Sequence, residues 1–133
     1  MNKERLNLLE SYIKTGVAPL LIENIPSDLF SNSVVLKSNI DKSELNGHYE
    51  DIEFCPPTWY KELLEKSKLD YVILVIENIN DVSVEEQNKF IEILKYNKIS
   101  TFTLPKNCLI IVTCSDLNNK KISEEVYSLL AQI

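Results

Sequence analysis

Glycine is nearly absent from this chain: Gly16 and Gly47 are the only two in 133 residues. A loop that cradles phosphates needs glycines for curvature and close backbone approach, so two isolated ones exclude a glycine-rich nucleotide loop. Histidine is scarcer still. His48 stands alone, which excludes a histidine-rich metal site and gives little support to a Cys/His nucleophile pair. The three cysteines, Cys55, Cys108 and Cys114, form no close pair and leave an odd one, so reduced thiols are expected. Positive charge is in deficit. Fourteen Lys+Arg against 20 Asp+Glu give a net charge of -6 and a pI of about 4.8. This balance argues against nucleic acid or an anionic membrane as the main partner. No apolar run approaches the length of a membrane span, and the opening Met1-Asn2-Lys3-Glu4-Arg5 has no apolar signal core. A cytoplasmic protein is expected.

What is present is a globular composition, 44% hydrophobic and 26% charged, in a length suited to one domain over 1–133. The organising stretch is Tyr71-Val72-Ile73-Leu74-Val75-Ile76, apolar throughout and mostly β-branched. Such a run reads as a central strand of a parallel sheet. Glu77 and Asn78 then stand at its carboxyl end, where ligands of open α/β sheets gather. Along the chain, Leu6, Leu9 and Ile13 predict a helix over 2–14 that Gly16 stops. A first strand follows over 17–22, then a polar segment with Pro26, then a second strand over 33–37. Residues 41–45 are short and polar and end at Gly47. Pro57 opens a helix whose buried side is Trp59, Tyr60, Leu63 and Leu64, with Trp59 read as core and not as a ligand platform. Ser83 and Glu86 form a capping box. The helix behind it has Val84, Phe90, Ile91 and Leu94 as its core face, and Glu85 and Glu86 serve its dipole. Residues 99–104 suggest a hairpin-like excursion. A strand over 109–113 exits at Cys114, Ser115 and Asp116, and Ser123 caps a last helix through Leu130. Strands alternating with helices predict an α/β fold with a mainly parallel sheet.

The order of five short motifs adds to this reading. They are Leu45-Asn46-Gly47, Pro56-Pro57-Thr58-Trp59, Val75-Ile76-Glu77-Asn78-Ile79-Asn80, Glu85-Glu86-Gln87-Asn88, and Leu104-Pro105 ahead of Ile110-Ile111-Val112-Thr113. Together they resemble the core of the AAA+ ATPases, within the P-loop NTPase fold, and most nearly the MoxR-like and dynein-related branch. The likeness covers roughly 45 to the C-terminus. It implies a three-layer, mainly parallel sheet of about five strands with helices on both faces.

Carried over residue by residue, the resemblance implies a loss of catalysis. With the register anchored on Gln87-Asn88, Glu77 falls at the metal-holding Asp of the Walker B strand and could hold magnesium through water. Asn78 falls at the Glu that activates water, and an amide cannot accept that proton. A register shifted by one puts Ile76 at the metal position, which fails equally. Ser115 falls at the sensor-1 Asn, and Gln132 at the arginine of the closing element. The segment 22–28 has neither Gly nor Lys, and 23–33 is shorter than the 15–20 or so residues that a phosphate loop and its helix need. Glu23 and Asp28 would repel a triphosphate. The family's C-terminal lid is also expected to be missing.

The implied function is a non-catalytic, pseudo-ATPase module without catalytic residues, cofactor or metal. It would act through a protein partner, either an active AAA+ ATPase or another copy of itself. The expected interaction surface is Asn80, Asp81, Asn118, Asn119, Lys120 and Lys121, on loops at the carboxyl side of the sheet. One alternative is a divergent AAA+ ATPase that binds ATP and magnesium weakly through Glu77 and Ser115. A second is an unrelated small α/β enzyme using Cys55 or Cys114, for which no base partner is evident.

Overall fold

The computed structural model describes residues 11, 19–23, 30–115 and 121–132. Within them the chain forms β1 (Leu20–Glu23), β2 (Ser33–Lys37), α1 (Lys42–Asn46), β3 (His48–Glu50), β4 (Glu53–Cys55), α2 (Thr58–Ser67) and β5 (Val72–Glu77). A 3-10 turn (Ile79–Asp81) leads to α3 (Val84–Gln87), which continues through a second 3-10 turn (Asn88–Phe90) into α4 (Ile91–Tyr96). The hairpin β6 (Lys98–Ile99) and β7 (Phe102–Thr103), then β8 (Cys108–Cys114), α5 (Glu124–Ser128) and β9 (Ala131–Gln132) complete it.

The fold is α/β. Its sheet has the order β2-β5-β8-β1-β9, with every neighbouring pair parallel and β9 only two residues long. The two all-apolar runs become the adjacent central strands β5 and β8, with Ile73 opposite Leu109 and Val75 opposite Ile111. A central parallel strand is covered on both faces, which is why neither run alternates in polarity.

The order explains where the helices lie. The steps β2 to β5, β5 to β8 and β8 to β9 all run in one direction across the sheet. Right-handed crossovers that advance in one direction put their helices on one face. Accordingly Trp59, Tyr60 and Leu63 of α2, Ile93 and Leu94 of α4 and Val126 of α5 all pack in one core with Leu21, Val34, Leu74, Ile76, Ile110 and Val112 of the sheet. The opposite face holds Leu20, Ile22, Ile73, Val75 and Ile111 in a smaller cluster, against which Phe30 packs. Among the described residues every helix longer than one residue sits on the first face. Of the helix expected over 2–14 only Ser11, which is helical, is described.

Local chemistry sets the boundaries. Asp41 caps α1 by accepting from the Ser43 amide at 3.1 Å, and Gly47 ends it. Ser83 accepts from the Glu86 amide at 3.2 Å, the expected half of the capping box. Residues 99–104 do make a hairpin, β6 with β7, turning through Ser100 at φ 54°. The hairpin of β3 with β4 was not foreseen. It turns through Asp51 at φ 54°, a conformation that short polar side chains tolerate.

Two expected core positions are corrected. Leu64 is 37% exposed and Val84 41% exposed. Leu64 lies at the edge of the stripe that Trp59, Tyr60 and Leu63 already fill. Val84 sits at the first position of α3, and the residue this short helix buries is Gln87. The first strand starts at Leu20; positions 17 and 18 lie outside the described residues. No helix of the described residues is long and apolar enough to cross a membrane.

Candidate functional site

The strand exits form the candidate site. In register, β1 ends at Glu23 beside Cys114 of β8, and β5 ends at Glu77 beside Lys37 of β2. Glu77, Asn78 and Ser115 are all partly buried. After Glu77 the backbone turns sharply at Asn78, which adopts the left-handed conformation at φ 49° and ψ 58°. Asparagine enters this region more readily than other non-glycine residues. The turn directs the Asn78 amide N–H to Thr113 Oγ1 at 2.8 Å, tying the exit of β5 to β8.

The loops beyond are stitched together by side-chain amides. Asn80 Nδ2 donates to the Ser115 carbonyl, and Asn80 Oδ1 accepts from the Ser115 amide at 3.0 Å. Gln87, fully buried, donates from Nε2 to the carbonyls of Val82 at 3.1 Å and Lys121 at 3.0 Å. Its Oε1 accepts from the Ser123 amide at 2.7 Å. Asn88 Oδ1 accepts from Ser123 Oγ at 2.7 Å. Thus Gln87 and Asn88 hold the chain that leads into α5, and Asn80 holds the end of β8. Gln87 uses both amide hydrogens and accepts through Oε1, and a buried amide engaged on both sides locks loop geometry. Lys89 points elsewhere: its Nζ donates to the Ile40 carbonyl at 2.6 Å, and burial lowers its pKa despite the opposing pull of Glu86 and Asp41.

This geometry corrects one expected interaction residue. Asn80 is 4% exposed and engaged with Ser115, so it is not a surface contact. The 35-residue spacing between Asn80 and Ser115 is too long for sequence reasoning to connect. Asp81 and Lys121 are exposed. Asn118, Asn119 and Lys120 lie outside the described residues.

The cysteines bear on the alternative chemistry. Burial pushes the Cys108 thiol up to about 12 from its ordinary 9.0. Burial, with Glu23 nearby, pushes Cys114 up to about 11. A nucleophilic cysteine needs a depressed pKa, and both of these are protonated at neutral pH. Cys55 is partly exposed.

Two grooves open on the surface of the described residues. One, of about 660 Å³, runs between α3 and α5 and includes Val84, Asn88, Ile122 and Tyr127. The other, of about 540 Å³, lies between α1 and α2 and includes Ile40, Glu44, His48, Pro57 and Trp59. Neither is lined by Glu77, Asn78 or Ser115. Trp59 turns its ring into the core, 7% exposed, and its Nε1–H donates to the Leu45 carbonyl at 2.9 Å. Neither a protein-family model nor a curated protein matches this sequence.

Proposed function

We propose that this chain is a non-catalytic AAA+-like module, a P-loop NTPase-like sheet that acts through protein contacts with an active AAA+ ATPase or with another copy of itself. The observation that carries the reading is the exit of β1. Glu23 ends that strand, and residues 24–32, nine in all, separate it from β2 and contain neither glycine nor lysine. A phosphate site at a strand exit needs backbone amides and a lysine in that place. Here a carboxylate occupies it, and a second carboxylate, Glu77, stands two strands away in the sheet. At ordinary strand spacing their backbones are about 10 Å apart, and by register the two side chains leave opposite faces of the sheet, so the charge at the phosphate position itself is that of Glu23.

Two further observations support the resemblance behind the reading. The acidic-exit strand β5 lies directly beside the polar-exit strand β8, as the order of motifs led one to expect. The motif residues Gln87 and Asn88 are held in defined polar roles on the helix that follows. A site can lose its chemistry while the scaffold that positioned it persists, and the remaining selection then acts on surfaces.

Calorimetry with magnesium-ATP tests this. The expected result is no binding tighter than about millimolar, since the amide cradle and its lysine are both missing. A micromolar dissociation constant would overturn the reading in favour of a divergent ATPase that uses Glu77 and Ser115.

A further inference from the structure

The hairpin β3–β4 pairs His48 with Cys55 and Glu50 with Glu53, leaving Tyr49 opposite Phe54. Alternation along each strand therefore separates two faces. Tyr49 and Phe54 form the apolar face, with ring centroids 4.9 Å apart. Phe54 stacks on Phe102 at 5.6 Å, and Phe102 meets Tyr60 at 5.3 Å, so this face is anchored on β7 and α2. The other face carries His48, Glu50, Glu53 and Cys55 together.

On that face an imidazole nitrogen of His48, a carboxylate oxygen of Glu50 and the Cys55 sulfur all lie within 4.8 Å of one another. His48 Nε2 and Glu50 Oε1 are 3.4 Å apart. A tetrahedral zinc ion, about 2.0–2.2 Å from nitrogen and oxygen and about 2.3 Å from sulfur, sets its ligand atoms roughly 3.3–3.7 Å apart. The nitrogen–oxygen separation already meets that requirement, and small side-chain rotations bring the sulfur in. A second observation points the same way. Glu50 and Glu53 face each other directly across the strands, and like charges in that position destabilise a hairpin unless a cation lies near. Asp51 adds a third carboxylate at the turn.

We infer that this hairpin is a binding site for a single zinc ion, held by His48, Glu50 and Cys55 with the fourth position open to water. Thiolate with imidazole selects a transition metal over magnesium or calcium. On binding, the Cys55 thiol releases its proton to solvent and the thiolate coordinates the metal. His48 and Glu50 side chains are 57% and 72% exposed, so the ion has direct access. The site is partly built before metal arrives. Gly47 brings its backbone against the Cys55 carbonyl, and Pro56 and Pro57 hold the chain extended just after it. Strands of three residues are marginal alone, and a metal across them would fasten the pair. One imidazole is enough here because Glu50, two residues along the same strand, and Cys55, opposite His48 across the hairpin, supply the other two ligands.

Titration of the reduced full chain with cobalt, a spectroscopic substitute for zinc, tests this. The expected result is a thiolate-to-cobalt charge-transfer band that equimolar zinc abolishes. Cys55→Ser should remove the band, and His48→Gln should weaken zinc binding at least about tenfold. A variant with Cys108→Ala and Cys114→Ala should keep the band. No band at millimolar cobalt, or a band that persists in Cys55→Ser, would overturn the assignment. Should Cys55→Ser fail to fold, reaction of wild-type Cys55 with an aromatic disulfide reagent decides. Zinc should slow it at least about tenfold in wild type and not in His48→Gln, and equal rates with and without zinc in wild type would overturn the site.

Discussion

Asn80 and Ser115 are joined through both atoms of the Asn80 side-chain amide, one donating to the Ser115 carbonyl and one accepting from its N–H at 3.0 Å. The pair links the turn after β5 to the end of β8 across 35 residues of chain. A side chain here does what a neighbouring strand would do, satisfying the backbone where the sheet ladder stops. Asn80→Ala should therefore cost about 1–3 kcal/mol of stability, measured by urea unfolding, because it strands two backbone groups. An unchanged midpoint would mean that the contact is not maintained in solution and that Asn80 is available to a partner.

Gln87 is the more demanding position. Gln87→Leu keeps the volume roughly but removes partners from the Ser123 amide and from the carbonyls of Val82 and Lys121. A loss of about 2–4 kcal/mol is expected. Hydrogen exchange at the Ser123 amide should accelerate more than at β5, since the substitution frees the start of α5 before it weakens the central sheet. Equal acceleration at both places would show only a global loss of stability.

Gly47 has φ 88° and ψ -179°, a region open in practice to glycine alone. A Cβ there would lie 2.5 Å from the Cys55 carbonyl oxygen. Gly47→Ala should cost at least about 2 kcal/mol through strain and clash together, read from thermal unfolding. A fully stable variant would mean that α1 meets β4 in a different geometry.

The buried thiols predict an alkaline limit. Cys108 and Cys114 titrate at about 12 and about 11 in the folded chain, raised from 9.0 by burial. The unfolded chain loses these protons first, so the folded state holds more protons between pH 9 and 11. Stability is then full below about pH 9 and declines as pH rises through 11 toward 12. Urea midpoints measured from pH 8 to 11 should fall by an amount that shrinks in Cys108→Ala. A flat profile would mean that these thiols are accessible to solvent. In the metal-free chain at pH 8, only Cys55 should react rapidly with a thiol reagent.

Much of this molecule was settled by sequence alone, and for local reasons. Apolar runs without alternation marked β5 and β8 as central strands, because burial on both faces is a property of the run itself. Ser83 before Glu86 marked the start of α3, since capping is chemistry between near neighbours. The want of glycine and lysine after Glu23 is likewise written in the chain. What depended on distant backbone meeting a side chain was beyond the sequence. Asn80 looked like a polar loop residue until Ser115 came within reach of it, and Gln87 became a buried clamp only where Val82, Lys121 and Ser123 converge. His48 and Glu50 share a face by alternation along one strand, but Cys55 joins them only through the cross-strand register, and a shift by a single residue would place it on the opposite face. Propensity and periodicity act over a few residues; the partners of buried polar groups are chosen by the packing of the whole fold, and only the tertiary structure decided them.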